Sequence, residues 1–259
     1  MRCALRHLNK LAAFLATPLL LSTSVEDAAA QDAARFAIEL EAGPVWQSRN
    51  DVQIPNTEAG TRFSLVDLVG NGPWPAVRLY ITWNISNRHS LRGLLAPLSY
   101  TETGTLDQPV DFAGATYEPG EPVEATYKFN SWRLGYRYRF MDRQRLKLWV
   151  GLTAKIRDAK IELMQANTTS EDTDIGFVPL LYLAADWRFA RRWHFVFDFD
   201  GLAGGPGRAF DVALKLGHDL SEHWRITGGY RTLEGGADVE SVYNFAWLNY
   251  AVVSGVYRF

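Results

Sequence analysis

Alternation with a period of two runs through nearly the whole chain, and it limits the possible folds more than any other feature. In a first segment Phe36, Ile38, Leu40, Ala42, Pro44 and Trp46 share one face, with Glu39, Glu41, Gln47 and Arg49 on the other. In a second, Val77, Leu79, Ile81, Trp83 and Ile85 oppose Arg78, Tyr80, Thr82 and Asn84. Successive side chains of a strand point to opposite faces, so these segments read as two-sided strands. The same pattern recurs over 132–140, 146–157, 177–189, 193–200, 211–216, 224–231 and 243–259, with one face apolar or aromatic and the other rich in charge. A further strand over 89–103 is less regular, because Leu91 to Leu98 is apolar on both faces. Pro97 and Pro179 lack the N–H that a ladder needs, which predicts irregular pairing at both.

These segments make about ten antiparallel strands, within a range of eight to twelve. The connections at 86–89, 141–145, 190–192 and 220–222 are short, whereas 48–74, 104–123 and 160–173 are long. Strands with a continuous apolar face can cross a bilayer only if every backbone group is paired, which requires a closed barrel. Trp83, Phe140, Trp187, Phe189, Trp193, Trp224, Tyr257 and Phe259 all fall on the apolar face near the short turns, where an aromatic girdle belongs. The chain ends Val253-Ser254-Gly255-Val256-Tyr257-Arg258-Phe259, with Tyr257 and Phe259 on one face and Arg258 on the other. That ending resembles the assembly signal of bacterial outer-membrane barrels, and the mature chain as a whole resembles that class by pattern. The resemblance implies an all-β, transmembrane, up-and-down antiparallel barrel in a Gram-negative outer membrane. Its partners would be outer-membrane lipids, lipopolysaccharide and the barrel-assembly machinery.

The N-terminus fits the same destination. Arg2, Arg6 and Lys10 precede the apolar run Leu11 to Leu21, and Ala28-Ala29-Ala30 follows, the three-part pattern of a secretory signal. Residues 1–30 are therefore expected to be cleaved, leaving 31–259 as one barrel. Cys3 is the one cysteine and lies in the leader, so the mature chain has no thiol chemistry. Losing three basic and two acidic residues from totals of 27 and 29 leaves 24 against 27, a net charge of −3, which does not suit a nucleic-acid partner. A monomer without cofactor or metal is the expectation.

Function has to come from the lumen and the loops, since the fold hosts many activities. The inward parity collects Glu39, Glu41, Asp186, Asp198, Asp200 and Asp211 together with Arg78, Arg92, Arg133, Arg137, Lys155, Arg157, Lys215, Arg225 and Arg231. A barrel of about ten strands has an interior little wider than its own side chains fill, so long arginines reaching carboxylates across it would leave little channel. The residues thus favour a structural or surface-binding barrel with a narrow, charge-filled lumen over a small passive pore. The surplus of basic groups would give any leak an anion preference.

The sharpest catalytic candidates are Asp198, Asp200 and Asp211. Asp200 and Asp211 flank the glycine-rich Gly201 to Phe210 turn and should approach each other near the outer rim, where paired carboxylates suit acid–base work. Neutralisation by Lys215 and Arg231 is the competing account, favoured because no histidine or nucleophile joins them. The ten-stranded omptin proteases combine an aspartate pair with an Asp-x-His couple. This chain resembles them in strand number and in Asp198-x-Asp200, but it has no Asp-x-His. The His-x-Ser motif of small-barrel lipid A deacylases is absent too, and His89, His194, His218 and His223 all fall near the periplasmic end. His218 and His223 flank one turn, but lack the carboxylate or thiolate support of a metal site. In the long connections, Phe63 to Val69 could fold over the mouth, while the acidic 104–123 segment reads as a solvated, mobile loop.

Overall fold

The computed structural model describes residues 34–259; the expected leader lies outside the described residues. The strands in chain order are β1 (Phe36–Gln53), β2 (Phe63–Ser64), β3 (Trp74–Asn84), β4 (His89–Ala96), β5 (Ser99–Thr105), β6 (Val110–Phe112) and β7 (Ala115–Tyr117). They continue with β8 (Pro122–Asp142), β9 (Leu146–Gln165), β10 (Thr168–Arg188), β11 (Trp193–Gly204), β12 (Gly207–Asp219), β13 (Trp224–Val239) and β14 (Val242–Arg258). One short helix, α1 (Leu65–Val69), follows β2. The wall runs β14-β13-β12-β11-β10-β9-β8-β4-β3-β1, and an antiparallel β14–β1 seam closes it. Both β4 and β5 pair with β8, so they form one stave broken at Pro97, and the barrel has ten staves. The irregularity predicted at Pro97 follows from its missing donor.

The outward faces carry Leu40, Ile81, Leu134, Leu152, Phe177, Leu181, Leu216 and Val253, all substantially exposed. An apolar belt of this extent fits lipid rather than water. At its lower edge Trp83, Phe140, Trp187, Phe189, Trp193, Trp224 and Phe259 are exposed beside the short turns. Tyr257 packs between Trp224, tilted against it, and Phe259, edge-on to it, with both ring centroids 4.8 Å away.

Several strands run further than their polarity suggests. The 160–173 segment is not a loop: β9 and β10 stay in register from Leu146↔Trp187 to Gln165↔Thr168. Its charged residues stand above the lipid, where an outward polar side chain costs nothing, so polarity there marks height rather than the end of pairing. Likewise Gly201 to Phe210 is not one tight turn, because pairing continues to Gly204↔Gly207. β1 extends to Gln53, and a bulge between Gln47 and Arg49 shifts its parity. Arg49 therefore leaves the inward face, and its guanidinium donates to Asp51 at 2.6 Å on a half-exposed surface.

Inside the outer half of the barrel the long connections build an apolar core. Leu65 and Leu68 of α1 are buried with Val45 and Val52 of β1, Trp74 of β3, Tyr100 of β5, and Val110, Phe112 and Tyr117 of the β6–β7 hairpin. Trp74 and Tyr100 stack at 3.7 Å. The 104–123 segment is thus packed rather than solvated and mobile; its charges lie on the exposed side while Leu106, Val110, Phe112, Tyr117 and Val123 face in. Each such burial is worth about 1.5–3 kcal/mol. Ser64 caps α1 by accepting from the Asp67 amide at 3.2 Å, and the Gln47 amide donates to the Gly70 carbonyl at 2.6 Å. Gly104 makes the close approach possible, since a Cβ there would lie 1.6 Å from the Leu68 carbonyl oxygen. Gly104→Val is expected to expel α1 and make residues 63–72 cleavable by added protease while heat-modified gel mobility still reports a folded barrel; unchanged cleavage would show that this contact does not hold the plug.

Candidate functional site

The inward charges are spread over several staves and aim into the lumen by strand parity, so their height along the wall decides which of them meet. At the centre, Asp211 on β12 accepts hydrogen bonds from Arg78 on β3 at 2.7 Å, Arg133 on β8 at 2.7 Å and Arg231 on β13 at 2.5 Å. Arg133 also donates to Asp200 at 2.9 Å, and Thr153 donates to the other Asp200 oxygen at 2.6 Å. Arg231 reaches Glu41 on β1 at 2.8 Å, and the Lys215 ammonium bridges Glu39 at 2.6 Å and Glu41 at 2.9 Å. Arg92 on β4 pairs with Asp198 on β11 at 2.6 Å, and the Tyr182 hydroxyl donates to the same carboxylate at 2.9 Å. Glu41, Asp211, Arg78 and Arg231 are all buried, Arg231 with 1 % exposure.

A second ionic cluster lies toward the short turns. His194 places Nδ1 2.6 Å from Asp186 and Nε2 2.7 Å from Asp219, and Arg225 donates to Asp186 at 2.7 Å and to Asp219 at 2.6 Å. Asp219 is a member that the strand-by-strand parity missed, because it is the last residue of its strand before a turn, whereas His194 lies near the short turns as its position in the sequence predicts. His218 packs on Trp193 at 4.5 Å and His223 lies 6.0 Å from Tyr257, so the two face different aromatic neighbours.

Two basic groups expected within the ion pairs stand outside them. Arg137 donates to Ser90 at 3.3 Å and Tyr182 at 3.4 Å but reaches no carboxylate among the described residues. Lys155, 3 % exposed, makes no hydrogen bond or ion pair among the described residues, and its ammonium sits 4.7 Å from the centre of the Phe129 ring. The reason is occupancy: Arg133, Thr153, Arg78 and Arg231 already claim Asp200 and Asp211.

The candidate catalytic aspartates are direct neighbours where expected in one respect, since Asp200 and Asp211 are cross-strand partners. They lie within the lumen, however, four residues below the hairpin tip rather than at the rim. Arg133 spans both, and among the described residues no histidine bonds to Asp198, Asp200 or Asp211. Above this pair, a cavity of about 520 Å³ opens on the side of the mouth away from α1. Lys155, Arg133, Asp200 and Asp211 lie at its base, and Tyr127, Phe129, Ile161, Phe210, Leu233 and Ala246 contribute apolar walls.

No protein-family model matches this chain, and no curated protein matches it either. Solved structures do. The outer membrane protease OmpT of Escherichia coli aligns over 86 % of this chain and 96 % of its own, with 11 % identity and a TM-score of 0.52. Neisserial surface protein A aligns over 88 % and 100 %, with 11 % identity and a TM-score of 0.40. Ail, the attachment invasion locus protein of Yersinia pestis, aligns over 87 % and 99 %, with 12 % identity and a TM-score of 0.40. The fold is that of a bacterial outer-membrane β-barrel. In this outer-membrane barrel the apolar belt sets the lipid level, the short turns face the periplasm and the α1 plug and cavity face outward. At 11 % identity the likeness to OmpT extends to the fold alone.

Proposed function

We propose that this outer-membrane barrel is a non-conducting surface protein whose outward cavity binds a ligand. The observation that carries the reading is the cross-lumen knot at Asp211, where arginines from three different staves converge on one carboxylate. A ten-stave lumen is only slightly wider than one filled by its own side chains, and here an ionic layer lies beneath an apolar core. The cavity ends blindly on that layer, and its volume falls within the range of small-molecule sites, about 300–1,000 Å³.

Conductance in a planar bilayer tests this directly, using protein extracted from outer membranes and a salt gradient to read selectivity. A folded but silent barrel is the expected result. Discrete anion-preferring steps would replace the reading with that of a small pore drawing on the basic surplus. A rim hydrolase built on Asp198, Asp200 and Asp211 finds no support in this geometry, because each carboxylate is held by a guanidinium.

A further inference from the structure

The wall of the barrel is incomplete on one side. β10 stays paired with β9 up to Thr168, but its pairing with β11 begins only at Leu181↔Gly201. β11 and β12 turn back at Gly204 and Gly207, so the edge of β10 above Leu181 has no neighbouring strand on that side among the described residues. Pro179 lies on that open edge and has no N–H to offer a ladder. The result is a notch between β10 and the β11–β12 hairpin, and the cavity opens into it, with Val178, Leu180, Leu202 and Pro206 among its lining residues.

The notch sits at lipid level. Ile175 and Phe177 on the outer face of β10 are 78 % and 65 % exposed, and Leu202 on the opposite lip is 39 % exposed. Phe177 pairs with Ile156, whereas one step higher Ile175 faces Asp158, so the apolar belt gives way to charge at the top of the notch. At the inner end of the same cavity lies the Lys155 ammonium, on a buried side chain and without an acceptor among the described residues. Tyr127 Oη and Arg157 Nε, on two further lining residues, are enclosed polar atoms with no partner among the described residues, although the Arg157 guanidinium pairs with Asp174 through its other end. All three are donors, and a buried ammonium is costly unless an anion meets it.

We infer that the cavity takes a single-chain anionic amphiphile from the outer leaflet, its charged head on Lys155 and its acyl chain leaving sideways through the notch between β10 and β11. The inference rests on the reading of the outward cavity as the binding face and names its ligand class. An apolar wall alone would accept any chain; the unpaired ammonium selects the anionic head.

The test uses the intact barrel in phosphatidylcholine nanodiscs with a fluorescent long-chain fatty acid and its neutral methyl ester as probes. The acid is expected to bind about tenfold or more tightly than the ester, as an enclosed charge-assisted contact would give. Lys155→Met should bring the acid down to the level of the ester. Val178→Trp, which fills the notch without touching the ionic layer, should abolish binding of both. Equal affinity of the parent for the two probes, an unchanged acid affinity in Lys155→Met, or unchanged binding in Val178→Trp would each overturn the inference. The two failures separate: a barrel silent in the bilayer that fails these assays loses only the ligand assignment, whereas a conducting barrel loses the non-conducting reading beneath it.

Discussion

Asp211→Ala is expected to destabilise the barrel by about 3–5 kcal/mol, the range found when one partner of a buried ionic group is removed. The substitution would leave Arg78 and Arg133 with reduced pairing and Arg231 with only Glu41. Three guanidiniums would then repel one another where little water reaches them, and Arg78 and Arg231 are almost fully buried. The readout is the urea midpoint of unfolding in detergent micelles, with heat-modified mobility as a check that the variant still closes. A midpoint equal to that of the parent would mean that water enters the layer freely enough to replace the carboxylate, and the lumen could then not be called shut.

Arg231→Met is the second large effect, at about 3–5 kcal/mol by the same argument. Arg231 is the bridge between two carboxylates, Glu41 at 2.8 Å and Asp211 at 2.5 Å, and it is 1 % exposed. Methionine keeps much of the volume, so the loss would report charge rather than a cavity. Combining Arg231→Met with Asp211→Asn separates a shared network from independent contacts. The double variant should lose less than the two singles added together, with a coupling of about 0.5–3 kcal/mol for residues in one network. Strict additivity would show that the two groups act separately despite their contact.

The ten staves were legible because lipid on one side and a polar lumen on the other force alternation, and Val77 to Ile85 or Trp132 to Phe140 display it without interruption. Where that two-sided solvent ends, the signal changes meaning. Above the membrane the outward faces of β9 and β10 carry Asp158, Lys160, Glu162 and Glu171, and polar residues in paired strands look like a loop. In β1 a bulge turned Arg49 outward, a shift of one residue that alternation cannot register before it has happened. The 104–123 segment hid its core contribution in five apolar side chains, Leu106, Val110, Phe112, Tyr117 and Val123, scattered among charges.

The candidate site was legible to the same depth. Parity identified which charges face inward, but not the partners, because pairing depends on relative height around the wall. Lys155 and Arg137 share the parity of Arg133, yet only Arg133 finds carboxylates. The notch has no local signature at all apart from Pro179. It arises because one hairpin ends at Gln165 and its neighbour at Gly204, a difference in length between two elements that each look complete.

The Asp211 knot also has a consequence for the order of events in assembly. Its carboxylate comes from β12 and its guanidiniums from β3, β8 and β13, while Glu41 enters from β1. A growing sheet that has not yet curled round already sets Arg231 beside Asp211 and Arg78 beside Glu41 on paired strands, but keeps Arg78 and Arg133 far from Asp211. Only when β14 meets β1 do the remaining contacts form across the interior, Arg78 on Asp211 and Arg231 on Glu41. Closing the seam is therefore the step that discharges the lumen, and the knot acts as a latch that fastens last.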